Sequence, residues 1–394
     1  MKFSTATALL LLSSFSQLPL VFAQSGPPGT GGPPGTGGPP SAPPPLVITA
    51  DTTLTGPQTT NIIIGVDDIT LDCGGNTIAP FPGPPTFVDG ISLDNRKGIT
   101  IKNCNVKNWL RGIVLEAFSS VKLENIEIDG NLVNGLDAND GSRIFMTGIF
   151  KSNNNGVFGI NMQNDVSLTM KQSTAECSGN TAGVQISLRS SYTMIQDPQS
   201  ARMPSILHAS GNRAFGVTAT SNSHLFLFGQ TTVKAYDNGS NGITAFTKSG
   251  IELDRDATIE TYDNGLNGLR VEDSSVNLFS INEATVPAIR SYGNGQAGIF
   301  LGKTAVFDTN EPAVTEIYDN SGGGLVVDNN SIATVRKAQI HGNSLVDKEE
   351  RNVVLSFGSH GDFVDNDIEG GRIYCDAFIG NYLRGDIWWC TTPI

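Results

Sequence analysis

The chain has 394 residues, a formal net charge of −13 and 45 glycines. So acidic a chain argues against nucleic acid or an anionic membrane as partner. It also disfavours a polyanionic substrate unless a cation bridges the two.

Residues 1–23 carry Lys2, the apolar run Ala8–Leu12 and a small-residue end at Val21-Phe22-Ala23, the pattern of a secretory signal peptide. No other apolar run is long enough to cross a bilayer, so the expectation is a secreted, extracellular protein with no membrane span. Residues 24–45 nearly repeat the unit Gly-Pro-Pro-Gly-Thr-Gly-Gly. The glycines do not fall at every third position, which argues against collagen. The segment reads as a semi-rigid linker. The sharper alternative is a tether or O-glycosylated stalk that holds the rest of the chain off a matrix.

From there a phrase recurs. An Asn is followed by Gly, mostly four residues later, and then by an aliphatic residue. Asn108, Asn131, Asn155, Asn180, Asn212, Asn238, Asn264, Asn294 and Asn320 carry it, and Asn343 repeats the Asn without the Gly. The spacing is about 20–30 residues, the signature of stacked structural units. Between the marks stand short alternating runs such as Val121-Lys122-Leu123-Glu124 and Thr258-Ile259-Glu260-Thr261, which read as strands. Each unit is therefore one coil of a parallel β-helix. Asn and Gly at the corner fit a left-handed bend between strands, and stacked Asn amides can hydrogen-bond from coil to coil. Asn131 to Asn320 are read as this structural ladder, with no catalytic role.

The array resembles the right-handed parallel β-helix repeats of the pectin-lyase-like superfamily. The stretch Ile69-Thr70-Leu71-Asp72-Cys73-Gly74-Gly75-Asn76-Thr77-Ile78 is similar to the opening coils of such proteins, as are Gly90-Ile91 and Ile99–Cys104. The resemblance implies an all-β fold: a single solenoid of roughly eleven coils over 46–351, with a C-terminal cap over 352–394 that includes Trp388 and Trp389. It implies no one function, because this fold carries lyases, hydrolases, esterases, epimerases and adhesins. The catalytic motifs of polygalacturonases and the Arg-centred signatures of pectate lyases are missing from the chain. His208, His224, His341 and His360 fall on different coils and faces, so no acid–base pair assembles from them.

In an oxidising compartment the expected disulfides are Cys73–Cys104 in the first coils and Cys375–Cys390 near the end. Cys177 falls on an inward position and reads as a small buried hydrophobe. Sequons stand at Asn238 and Asn329, the first of them inside the ladder.

Period-two alternation sorts the side chains that follow each Gly. The first and third point inward, from Ile91/Leu93 through Ile243/Ala245 to Leu325/Val327. Burial of each is worth about 1.5–3 kcal/mol, so the core requires no metal or cofactor. The second and fourth point outward, onto the face where enzymes of the resembled superfamily commonly bind substrate. Asp94, Glu116 and Asp137 form an acidic cluster there, a candidate catalytic set or a Ca²⁺ site. Asn139, Asn161, Gln163 and Gln185 are candidate binding residues, and Arg270 with Glu272 is the one plausible base–neutraliser pair on this face. On the strand before each Asn, Glu127 to Gln339 form a charge ladder that sets register. Tyr236, Tyr262, Tyr292 and Tyr318 recur at one coil position, followed by His341. They read as a stacked column or as a platform for sugar rings. The function these features point to is a secreted β-helix protein that binds extracellular polysaccharide at a cell surface or matrix. The alternatives are a polysaccharide lyase, hydrolase or epimerase using the acidic stripe, and a purely structural or adhesive solenoid.

Overall fold

The computed structural model describes residues 44–81, 87–196, 204–280, 285–310, 312–343, 345–346, 349–369, 373–375, 382–385 and 390–391. The expected signal peptide, the Pro/Gly segment up to Pro43, and Trp388 and Trp389 lie outside them. The protein is a single right-handed parallel β-helix, and the described residues contain no α-helix. None of its elements is a helix long and apolar enough to cross a membrane.

One face is a fifteen-stranded parallel sheet of short strands, among them Ile91–Asp94, Ile113–Glu116, Leu136–Asn139, Phe158–Gln163, Ile243–Phe246, Leu269–Glu272 and Ala297–Gly302. It continues through Val353–Leu355, Ile373–Cys375 and Cys390–Thr391, so the stretch expected as a cap adds rungs to the same sheet. The two other faces come from the chain between these strands. In the early coils one long strand serves both, and it bends at a left-handed residue: Ile99–Lys107 at Asn103, Ser120–Asp129 at Asn125, Arg143–Asn153 at Gly148. Later coils use separate strands, such as His224–Phe228 and Thr231–Tyr236.

Alternation places the core as expected. Ile91, Leu93, Ile243, Ala245, Leu325 and Val327 are all buried, and so are their counterparts on every coil between. Cys177 lies wholly buried in the same core, where burial raises its thiol pKa. Cys73 and Cys104 are bonded, closing the first coils. Cys375 is disulfide-bonded too; the side chain of its expected partner Cys390 lies outside the described residues.

The Asn ladder is continuous. Each Oδ1 accepts from both the backbone N–H and the side-chain amide of the Asn one coil earlier, as in Asn131–Asn155, Asn238–Asn264 and Asn294–Asn320. From Asn180 onward the amide also donates to a backbone carbonyl of the preceding coil, Asn238 to Ala209 and Asn264 to Ala235, whereas Asn155 donates to Ser152 Oγ. Asn238 therefore has both amide protons engaged and is buried, which leaves its sequon no free nitrogen. At the N-terminal end Trp109 stands in the ladder position and gives its N–H to Asn131. At the other end Asn343 bonds to Asn352, which bonds to the carbonyl of Glu369.

The reason for the Asn–Gly spacing is different from the one expected. No ladder Asn from Asn131 to Asn343 is left-handed; the residue before each one is, whether Gly130, Asn154, Gly211, Asp237, Asp263 or Asp319. Asn108 is itself such a residue, one place out of step with the ladder. The Gly that follows the Asn has no positive φ either. It is Gly because a Cβ there would collide with the next coil. At Gly216 that atom would stand 2.5 Å from the carbonyl oxygen of Gly242 and 2.9 Å from the Asn238 amide nitrogen.

A second ladder escaped the sequence reading. Ser119, Ser142, Ser190, Ser223, Ser249, Ser274, Ser331 and Ser359 stand buried just past the fifteen-stranded sheet. Ser190 Oγ donates to the carbonyl of Ser187 and accepts the N–H of Val166 one coil back. The signal was present as a Ser six or seven residues after most of these Gly residues; Val166 and Ala305 stand there after Gly159 and Gly298.

The two kinds of glycine predict different costs. Gly216→Ala should lower stability by about 1–3 kcal/mol through overpacking. Gly211→Asp, at a left-handed corner with nothing within 4 Å of the new Cβ and with Asp237 as its counterpart, should cost no more than about 1 kcal/mol. Chemical denaturation of both variants checks the order, and a reversed order would refute the close-approach explanation.

Candidate functional site

The outward positions of the fifteen-stranded sheet form one continuous surface. Its middle is more closed than alternation implies: Val114, Asp137, Asn161, Thr218 and Thr244 are all buried although they point away from the core. Thr244 shows why. It stands in register between Thr218 and the much longer Arg270, and donates to Thr218 Oγ1 at 3.0 Å. Short side chains sit low here, with neighbouring strands roughly 4.8 Å away.

At the N-terminal end the acidic cluster is organised by a residue that the sequence reading passed over. Arg111, from the corner before strand Ile113–Glu116, grips Asp89 with two parallel hydrogen bonds of 2.8 Å. It also donates to Asp137 at 2.9 Å and lies 3.7 Å from Glu116. Burial works against the guanidinium charge, but the bonds to Asp89 and Asp137 outweigh it and raise the pKa. The second oxygen of Asp137 accepts from Asn161 at 2.8 Å, and Asn161 accepts from Gln163. Asp94 is in register with Glu116 and exposed, whereas Asp137 is in register with Val114, two residues earlier along the strand, and is buried. The three carboxylates therefore do not line up as one column.

This arrangement does not suit Ca²⁺. Both oxygens of Asp137 are already committed, and a guanidinium holds the place a cation would need. Among the described residues no group of three His, Cys, Asp or Glu is placed to hold a metal ion.

Further along the same surface Arg270 and Glu272 do meet. Glu272 is buried and accepts from both Arg270 and Lys303. Burial tends to raise its pKa, but the Lys303 and Arg270 hydrogen bonds hold it below the ordinary carboxylate value. The Arg270 guanidinium lies 5.8 Å from the Phe246 ring centre and 5.5 Å from that of Phe300, within cation–π range of both. The two rings and Lys303 were not singled out as site residues from the sequence. Phe246 and Phe300 were legible as members of the outward stripe, but not as the flanks of one guanidinium. Asn139 and Gln185 lie on this surface between the two clusters, half-buried, and Gln185 donates to Thr220.

The tyrosines belong to a different face. Tyr236, Tyr262, Tyr292 and Tyr318 stack with ring centres 4.7, 5.0 and 4.8 Å apart and almost parallel, and His341 continues the column at 5.4 Å. Because the rings cover one another, the column offers a ligand edges and hydroxyls rather than faces. The charge ladder runs beside it, with Lys234–Glu260 and Arg290–Glu316 each at 2.7 Å.

Residues 89–200 match the family described as "Right handed beta helix region". Among solved structures, the chain is similar to the A-module of the Azotobacter vinelandii mannuronan C-5 epimerase AlgE6. The identity is 13%, the likeness covers 82% of this chain and 92% of that one, and the TM-score is 0.40. No curated protein matches the sequence.

The column makes two predictions. Tyr262→Ser removes two stacked pairs and should cost about 1 kcal/mol or more; unchanged stability on denaturation would refute a structural role for the stack. The second concerns alkaline pH. The Tyr262 phenol is pushed up to about 12, chiefly by burial and then by Tyr236 and Tyr292. Tyr292 and Tyr318 are raised as well, again chiefly by burial. The native state thus keeps these protons where an unfolded chain has lost them. The corresponding stability is complete below about pH 10 and is lost as pH rises from about 10 to about 12. Melting curves of the wild type should fall more steeply across that window than those of Tyr262→Phe.

Proposed function

We propose that this right-handed parallel β-helix is a secreted protein that binds extracellular polysaccharide without cleaving it, along the outward surface of its fifteen-stranded sheet. The observation that carries this reading is the Arg270 guanidinium flanked by Phe246 and Phe300. Partly exposed rings supply the apolar faces that sugar C–H groups pack on, and a fixed cation and amides supply the polar contacts that orient a ligand. Asn139, Gln163 and Gln185 extend the polar row toward the N-terminal end of the same surface.

Glu272 supports binding over hydrolysis. A general acid needs a carboxyl whose pKa is raised toward the working pH, and that of Glu272 is lowered by two cations. Asp137 is likewise committed, to Arg111 and Asn161. The Cys73–Cys104 bond supports an oxidising, extracellular location.

The test is a panel of soluble polysaccharides titrated against the wild type and against Phe246→Ala and Phe300→Ala. At least one polymer should bind, and each variant should bind it about tenfold more weakly, a loss of about 1.4 kcal/mol. Retention of full affinity by both variants would overturn the placement of the site. Release of reducing ends or unsaturated products by the wild type would overturn the non-catalytic reading and favour the acidic stripe as a hydrolase or lyase centre, and a change of sugar configuration without chain cleavage would favour it as an epimerase centre.

A further inference from the structure

The face that follows the fifteen-stranded sheet lies apart from the surface around Arg270, and its charge changes sign from end to end. Outward positions on its N-terminal strands carry Lys102, Lys122, Arg143 and Lys171. Those on its C-terminal strands carry Glu252, Asp254 and Asp308. Lys102 and Lys122 are compensated on the spot, by Asp72 at 3.2 Å and Glu124 at 2.8 Å. Arg143 at one end, and Glu252 and Asp308 at the other, make no ion pair with any described residue.

The relief changes along the same line. Strand His224–Phe228 turns His224, Phe226 and Phe228 outward, stacked along the strand with ring centres 5.2 and 6.2 Å apart. These rings form a wall across the face. The two strands before it carry short side chains: Ser191 and Thr193 in register with the rings, and Ser167 and Thr169 one strand further. A shallow groove of about 410 Å³ extends from there, between Thr169 and Thr100.

We propose that this face pairs with the same face of a second copy of this chain, about a two-fold axis along strand Ser191–Ile195. Rotation about that line keeps strand direction and reverses coil order. The ring wall of each copy then stands on the low ground of Ser167 and Thr169 in the other. The coil of Arg143 comes opposite that of Glu252 and Asp254, and the coil of Lys102 opposite that of Asp308. Every contact occurs twice, as an isologous interface requires. An axis along the ring strand itself would set wall against wall. Ile195 lies on the axis and meets its own counterpart, so apolar groups occupy the middle while opposite charges flank it and fix the orientation. Strands from Thr70–Asp72 to Ile332–Arg336 take part; with about 4.8 Å between strands and about 3.3 Å per residue, their outer surface is about 800 Å² per copy, the size of a standard interface. The net charge of −13 does not forbid the pair, because charges more than about 8 Å apart are screened at physiological ionic strength.

The experiment is sedimentation equilibrium of the full protein without its expected signal peptide, at physiological salt and from low to high micromolar concentration. The wild type should form a dimer and nothing larger. Arg143→Glu should weaken the dimer by about tenfold or more, and so should Glu252→Arg combined with Asp254→Arg. Mixed together, these two variants should associate as tightly as the wild type, since each facing pair again has opposite signs. Phe226→Ser should weaken the dimer without any change of charge, and all variants should keep the wild-type circular dichroism spectrum. Phe300→Ala, on the fifteen-stranded sheet, should leave the dimer unchanged, so failure here is distinguishable from failure of the site around Arg270. The proposal is overturned by a wild type that stays monomeric at high micromolar concentration, by open-ended assembly, by an undiminished dimer in Arg143→Glu, or by two charge-reversed variants that do not associate when mixed.

Discussion

The structure depends on a contact in which one coil occupies space that a side chain of its neighbour would fill. The amide nitrogen of each ladder Asn stands about where the Cβ of the preceding coil's Gly would be; it is 2.8 Å away at Gly135, Gly242 and Gly324. The same Asn then makes hydrogen bonds on both sides, backward to a carbonyl and forward to the next Oδ1. A slip of one residue would bring a Cβ into the contact and strand buried amides, each at a cost of about 1–3 kcal/mol. Hydrophobic burial holds the coils together without direction. The Asn–Gly contact fixes their register, and with it the position of every outward side chain.

That register decides what the sequence could show. The inward stack was legible because period-two alternation needs only local counting: Ile243, Ala245, Leu269 and Val271 follow from their distance to a Gly. The tyrosine column was legible for the same reason, since identical positions on consecutive coils must stack. Arg111 was not legible. Its partners Asp89 and Asp137 come from a corner and from a different coil, at positions no repeat relates. The cause of the Gly was also hidden. A left-handed bend and a close approach both select Gly, and only the coordinates show that the bend belongs to the preceding residue, such as Asp237 or Asp263. For the same reason Asp94, Glu116 and Asp137, read together from coil order, separate once register puts Asp137 opposite Val114.

Two places on the fifteen-stranded face solve one electrostatic problem in the same way. Buried Asp137 is neutralised by Arg111, and buried Glu272 by Arg270 and Lys303. A half-buried carboxylate without such a partner would be pushed toward its neutral form. The pairing holds both carboxylates in place, which suits a surface that orients a ligand. At Glu272 it also lowers the pKa, the opposite of what a general acid requires. On the adjoining face, Arg143 has no ion-pair partner among the described residues.

The Asn ladder also has a direction. Every Oδ1 receives from the N-terminal side and every amide passes one of its protons toward the C-terminal side, from the Trp109 backbone N–H at one end to the Glu369 carbonyl at the other. An interior coil therefore presents the same donor and acceptor to both neighbours, whatever its loops contain. A coil duplicated or deleted within the chain leaves the polarity intact and strands no amide. A coil joined in the reverse sense would bring acceptor against acceptor. The chain can lengthen by whole turns, and its two ends, closed by different groups, are not interchangeable as surfaces on which another solenoid could continue.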